Sequence, residues 1–144
     1  PHPGELARLT GAEISSITDD PVGTVRATAA ELGTTVLLKG APSVVARPGG
    51  AVRVAATAGS GVASGGSGDV LSGLAGAFLA AGMEAADAAS AALLLSGLAA
   101  DRSPTPEGHL ASDVPDRLPD VRSEVEALRE APCGPVLFAL PAAR

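Results

Sequence analysis

Short apolar stripes alternate with glycine stops along this chain, and the spacing within each stripe predicts an element. Leu6 and Leu9 stand three positions apart, which puts them on one helical face. Glu5 falls in the first turn, where an acid suits the positive end of the helix dipole, so residues 4–10 predict a short helix that Gly11 ends. Across residues 13–32 a polar, turn-rich loop around Thr18 to Pro21 gives way to a helix. On it Val22, Val25, Ala29 and Leu32 recur at helical spacing, and Gly33 stops it. TTVLLKG, residues 34–40, is rich in β-branched side chains and too short for a helix, which predicts a buried strand. SVVAR (43–47) and AVRVA (51–55) flank Pro48-Gly49-Gly50 and predict a hairpin.

Further on, Val70, Leu71, Leu74, Phe78 and Ala81 mark a second helical stripe that Gly82 closes. Residues 84–101 form an Ala/Leu pattern with Ala91, Leu94, Leu95 and Leu98 on one side. Its polar positions are so few that both faces are expected to be buried. The loop RSPTPEGH leads to Ser112 and Asp113, either of which can cap a helix running to about residue 129. The last stretch, APCGPVLFALPAAR, reads as a Pro/Ala-biased, partly ordered tail. Helices, a strand and a hairpin, then more helices after a glycine-rich loop, describe an α/β layer structure rather than a bundle. No internal repeat interrupts this order.

Composition narrows the chemistry. With 144 residues, 46% apolar and 18% charged, the chain can bury a single core, and it is far from a disordered composition. Two Phe and no Trp or Tyr mean that Ala, Val and Leu must build that core. A formal net charge of −6 without any basic cluster argues against a nucleic-acid surface. Lys39 is the only lysine. The single Cys133 cannot form an internal disulfide, which suggests a reducing compartment, and no helix start or basic neighbour is in sight to activate its thiol. No apolar run approaches the length of a membrane span, no signal peptide is visible, and the missing initiator Met reads as a piece of a longer polypeptide.

The densest chemistry lies in GVASGGSGDVLSG, residues 61–73, where five glycines and three serines surround one carboxylate and run into a helical pattern. Glycines at Gly65, Gly66 and Gly68, with Ser67 between them, can turn several backbone N–H groups toward one point. A helix starting there adds its own unpaired N–H groups and dipole, so the turn is a candidate anion hole. Two readings stand for Asp69. A carboxylate aimed into the hole would repel the anion, so it either works beside the anion as a base or orienting group on a hydroxyl, or merely caps the helix over a tight turn.

ASGGSGDVLSG resembles the A-T-G-G-S-G-D-V-L-[AS]-G signature of the ribokinase-like superfamily, and within it that of the ADP-dependent NAD(P)H-hydrate dehydratases. TVLLKGAPSVVARPGG resembles the family's strand, Lys-Gly-Ala and hairpin segment; PHPGELARL resembles T-P-H-P-G-E-x-A-R-L; and EGHLASD is similar to its G-L-x-A-S-D helix entry. PHPGE separates this family from sugar and vitamin kinases that share the glycine loop. The resemblance implies a layered α/β/α ribokinase-like sheet with flanking helices, of which residues 1–130 are the C-terminal portion and 131–144 a tail.

The same resemblance implies site residues. Lys39, Gly40, Ala41, Pro42 and Ser43 match the nucleotide-binding segment. Gly65, Gly66, Ser67 and Gly68 match the phosphate turn, Asp69 the catalytic residue facing the hydrated nicotinamide, and His2 the substrate-contacting histidine. Read without it, His2 is a frayed terminal side chain and Lys39 either reaches phosphate from a strand end or is a solvated surface lysine. Glu5 either helps order the site or is a plain first-turn acid. The implied cofactors are ADP as co-substrate and Mg²⁺ with no protein metal site. The implied setting is a cytoplasmic homo-oligomer without nucleic-acid or membrane partners. The implied reaction is dehydration of NAD(P)H hydrate to NAD(P)H with release of AMP and phosphate. The alternatives are a small-alcohol kinase of the same superfamily and a nucleotide-binding fragment without catalysis. Three departures from the family pattern stand out: Ser64 for the common Thr, TAGSG at 57–61 for a Gly-Asn-Pro-Gly loop, and His109 for an apolar or small residue, read here as a surface histidine.

Overall fold

The computed structural model describes residues 1–55, 65–102, 110–127 and 138–140. Ser64, the 57–61 loop, His109 and Cys133 therefore lie outside the described residues. The chain divides into two compact units. The first comprises Pro1–Ala56 with Leu137–Arg144, and the second Thr57–Val136.

The first unit carries helices α1 (Pro3–Thr10), α2 (Ile14–Asp19) and α3 (Pro21–Leu32), followed by strands β1 (Val36–Leu38), β2 (Ser43–Ala46) and β3 (Val52–Ala55). A further strand, β4 (Phe138–Leu140), completes a four-stranded sheet of order β1-β2-β3-β4 in which every pairing is antiparallel. The register places Val36 opposite Ala46, Leu38 opposite Val44, and Val44 and Ala46 opposite Val54 and Val52. Because side chains alternate along a strand, these positions share one face, and α3 packs on β1 and β2 there. Leu6, Ile17, Val25, Ala29, Val36, Leu38, Val44, Ala46 and Val52 form a single buried cluster.

Three local features differ from the sequence expectation. Residues 14–19, expected in part as loop, form α2, which Ile17 anchors by complete burial. The chain turns from α2 into α3 at Asp20, whose carboxylate Oδ1 accepts the Gly23 amide at 2.8 Å, with Pro21 opening the helix. A Cβ at residue 23 would collide with that carboxylate, so glycine is required by close approach. Leu9 and Leu32, expected on the apolar faces of their helices, are exposed because each lies in the final turn, past the last contact with the core. At the end of the chain, where composition suggests a tail, residues 138–140 pair with β3.

The second unit is helical among the described residues: α4 (Ser67–Ala80), α5 (Ala85–Asp101) and α6 (Asp113–Ala127). α5 packs against both α4 and α6. Its buried positions are small, namely Ala88, Ala89, Ser90, Ala92, Ser96, Gly97, Ala99 and Ala100, while Leu94, Leu95 and Leu98 are only half-buried. Small side chains at the crossings let helix axes approach closely, so the alanines are the fully buried positions, while Leu95 and Leu98 pack against the cluster of Ala99, Val114 and Val121. Along α4 only Leu71 of the expected stripe is buried. Arg102 donates from Nε to Glu124 at 2.9 Å, tying the end of α5 to α6, and Asp113, first residue of α6, accepts the Leu110 amide at 3.0 Å.

Leu6→Ala should cost about 2–5 kcal/mol, the range for deleting a fully buried leucine, whereas Leu9→Ala should stay within about 0.5 kcal/mol as an exposed change. Urea unfolding of the two variants checks the difference.

Candidate functional site

In the first unit the sequence PHPGE folds into a closed turn. His2 is the N-cap of α1, and its Nδ1 accepts the Gly4 amide at 3.0 Å and the Glu5 amide at 3.3 Å. Accepting through Nδ1 leaves the imidazole proton on Nε2. Glu5 replies with Oε2, which accepts the His2 backbone N–H at 2.6 Å, completing a capping box in which histidine stands where serine or threonine is usual. Gly4 permits this folding-back, since a Cβ there would lie 3.1 Å from the ring.

Lys39 follows directly on β1. Its backbone amide donates to the Pro1 carbonyl at 2.7 Å, and its ammonium lies 3.3 Å from Glu5 Oε2. Glu5 Oε1 lies 3.5 Å from His2 Nε2. One carboxylate thus touches both the histidine and the lysine that the sequence singles out. The hydrogen bond from the His2 amide holds the Glu5 carboxyl below its ordinary value; desolvation opposes it, and the Lys39 ammonium adds to the lowering. Beyond Lys39 the chain makes a tight turn through Gly40, Ala41 and Pro42, with a cis peptide between the last two. Ser43 Oγ closes it, accepting the Gly40 amide at 3.2 Å and donating to the Gly40 carbonyl at 2.9 Å. Thus the structure brings His2, Glu5, Lys39 and the 40–43 turn together within one unit.

In the second unit Gly65, Gly66, Ser67, Gly68 and Asp69 form the entrance to α4. Gly66 is the N-cap at φ 87°, ψ −9°, and no side chain caps the helix. The Asp69 and Val70 amides return to the Gly66 carbonyl at 3.0 and 3.2 Å, and the Ser67 and Gly68 amides, first-turn donors, have no backbone partner among the described residues. Asp69 is exposed in that turn, where its charge suits the positive end of the helix dipole, and no side-chain cap hydrogen bond is made there. No group of three or more His, Cys, Asp or Glu side chains that could hold a metal occurs among the described residues. No helix among them is long and apolar enough to cross a membrane.

The Carb_kinase family model, described as NAD(P)H-hydrate dehydratase, matches residues 1–120. The chain belongs to the NAD(P)H-hydrate dehydratase family. Among its relatives is the bifunctional NAD(P)H-hydrate repair enzyme of Mycobacterium tuberculosis, 51% identical over 90 residues, covering 62% of this chain and 18% of that protein. The ADP-dependent (S)-NAD(P)H-hydrate dehydratase of Neisseria meningitidis is 43% identical over 101 residues, covering 70% of this chain and 34% of that protein. Among solved structures, the ADP/ATP-dependent NAD(P)H-hydrate dehydratase of Bacillus subtilis, co-crystallised with ATP and Mg²⁺, superposes with a TM-score of 0.80 at 31% identity. That match covers 86% of this chain and 46% of the other. The chain therefore spans less than half the length of each of these three proteins. The α/β, ribokinase-like fold expected from the sequence is the fold of these dehydratase structures.

What sequence reasoning missed within this NAD(P)H-hydrate dehydratase segment is the bond from Glu5 to Lys39. Glu5 reads in the sequence either as helping to order the site or as a first-turn acid, and only the docking of α1 beside the end of β1 shows its second partner. The one signal available was the S/T-x-x-E-like spacing of His2 and Glu5, disguised by histidine in the cap position.

Two outcomes test this geometry. Gly66→Ala should destabilise the start of α4 by about 1–2 kcal/mol, the cost of a left-handed backbone with a Cβ. The added carbon would meet only Ala111 Cβ at 3.5 Å, an ordinary contact, so the cost is conformational, and urea unfolding measures it. Because the Glu5 carboxyl is depressed, its contribution is complete above the ordinary carboxylate range and is lost as pH falls through its lowered value. Thermal melts against pH should show an acid-side loss that is smaller in Glu5→Gln.

Proposed function

We propose that this chain supplies the nucleotide and substrate segments of an ADP-dependent dehydratase that restores NAD(P)H from its hydrate. The observation that carries the reading is the uncapped start of α4 at Gly66, with first-turn amides that have no backbone partner among the described residues and an acid beside them. Such a helix start offers backbone donors and a positive dipole end to phosphate oxygens. Membership of the family supports the same chemistry.

In the proposed reaction the substrate hydroxyl attacks the β-phosphorus of ADP, the bond to the bridging oxygen breaks, and AMP leaves. The new phosphate ester then departs as inorganic phosphate while the ring nitrogen's electron pair drives elimination and a ring proton is lost, giving the dihydronicotinamide. The amides of the 65–68 turn would hold the transferring phosphoryl oxygens. Asp69 would orient the substrate hydroxyl and accept its proton, a role suited to an exposed carboxylate beside the anion turn rather than inside it. Lys39 would meet the nucleotide with a positive charge at the strand end, the 40–43 turn would receive the rest of it, and His2 would present its Nε2–H to the hydrated nicotinamide. Mg²⁺ binds phosphates with few protein ligands, which fits a segment without a metal cage among its described residues, and when bound it would neutralise phosphate charge. Residues 1–130 would form most of this portion of the domain, with residues 138–140 returning to its sheet, in a cytoplasmic homo-oligomer with no nucleic-acid or membrane partner.

Incubation of the chain with hydrated NADH, ADP and Mg²⁺ should restore the near-ultraviolet absorbance of NADH with stoichiometric AMP and phosphate. Asp69→Asn should lower the rate by roughly 10²-fold or more, as expected for loss of a general base. A phosphorylated alcohol as the accumulating product would point to a kinase instead, and ADP binding without turnover would reduce the chain to a nucleotide-binding segment.

A further inference from the structure

Glu5 is the one side chain that touches both the histidine and the lysine of the first unit. Its Oε2 accepts the His2 backbone N–H at 2.6 Å and lies 3.3 Å from Lys39 Nζ, while Oε1 faces His2 Nε2 at 3.5 Å. The cap alone would be satisfied by a neutral glutamine, whose amide oxygen also accepts a hydrogen bond. A carboxylate does more, because its charge gives the ammonium of a long, flexible side chain a fixed neighbour. The lysine backbone is independently held, its amide donating to the Pro1 carbonyl at 2.7 Å, so the remaining freedom lies in the four-carbon stem. The Lys39 side chain is one-third exposed and that of Glu5 rather more, so the pair is open to an incoming anion and can rearrange around it.

We propose that Glu5 is a positioning residue, its carboxylate aiming the Lys39 ammonium at the nucleotide while bracing the turn that presents His2, so that nucleotide and substrate segments are set by one side chain. This rests on the assignment of Lys39 to nucleotide binding made above. Since Glu5 acts through Lys39, the two should not contribute independently: once the lysine charge is gone, the glutamate has nothing to aim.

The test compares the full chain with Glu5→Gln, Lys39→Met and the double variant, using ADP as the probe in calorimetric titration near neutral pH. Glu5→Gln keeps the acceptor for the His2 amide and loses the charge, so its melting temperature there should fall modestly, by the contribution the carboxylate makes above its lowered value, with the fold retained. ADP affinity should fall on the order of fivefold, the upper range for an exposed ion pair. Lys39→Met should lose at least as much, and the double variant no more than Lys39→Met alone, the non-additivity of a coupled pair. Because Lys39 is the only lysine, acylation located by peptide mapping reads the same side chain directly. It should be faster in Glu5→Gln, where no carboxylate occupies the ammonium, and ADP should protect it less well. Unchanged or tighter ADP binding in Glu5→Gln, or losses that add with Lys39→Met, would overturn the proposal and leave Glu5 as a cap. If Lys39→Met itself binds ADP like the parent, or the parent binds none, the nucleotide assignment falls and the role of Glu5 with it, a result distinct from the first.

Discussion

The burial of Val36 and Leu38 against Val44, Ala46 and α3 is the constraint on which the first unit depends. Alternation along β1 leaves no choice once those two side chains are inside. Lys39 then takes the opposite face from Leu38, and as β1 ends at Leu38 the Lys39 amide turns to the Pro1 carbonyl, beside the turn that begins with His2. A slip of one residue would bury Leu37 and turn both Val36 and Leu38 outward, at a cost of several kcal/mol by the usual worth of a buried aliphatic side chain. The lysine is therefore placed by the hydrophobic effect and only then refined by Glu5. Position comes from burial, and aim comes from charge.

The second unit reaches its chemistry by a different route. Helices are normally entered through a side chain that accepts an amide of the first turn, and α1 and α3 both follow that rule, through His2 and Asp20. α4 does not: its N-cap is a glycine in the left-handed region, which has no side chain to offer. Leaving these donors without a cap costs helix stability, and α4 recovers it by packing on α5. α2 and α5 also begin without a side-chain cap, so what sets α4 apart is the left-handed glycine at its N-cap, a backbone conformation that side chains rarely adopt.

Much of this was readable from the sequence. The glycine stops at Gly11 and Gly33 appear as left-handed C-caps, and the hairpin 43–55 pairs as its alternation and Pro-Gly-Gly centre require. The start of α4 is legible as glycines running into an apolar stripe, but the same pattern also serves plain connectors, and a role for that entrance comes only from the family resemblance. Tertiary packing hid the rest. α2 has too short a stripe for periodicity to detect, and exists because Ile17 finds the core. The leucines of α5 look like its buried face, yet at close crossings the small residues go inside. The Glu5–Lys39 contact joins residues far apart in sequence, and no local pattern reports a pairing that only docking of α1 beside β1 creates.

The pairing of β3 with β4 has a consequence for how the molecule is made. These neighbours in the sheet are separated in the chain by the whole helical unit, so the latter is an insertion between two adjacent strands of a meander. During vectorial synthesis β1, β2 and β3 emerge first and can zip together locally, but β3 keeps a bare edge until residues 138–140 have been made. Completion of the sheet therefore waits on the last-made strand, and the loop that its pairing closes spans the whole second unit, an entropic cost that grows only slowly with loop length.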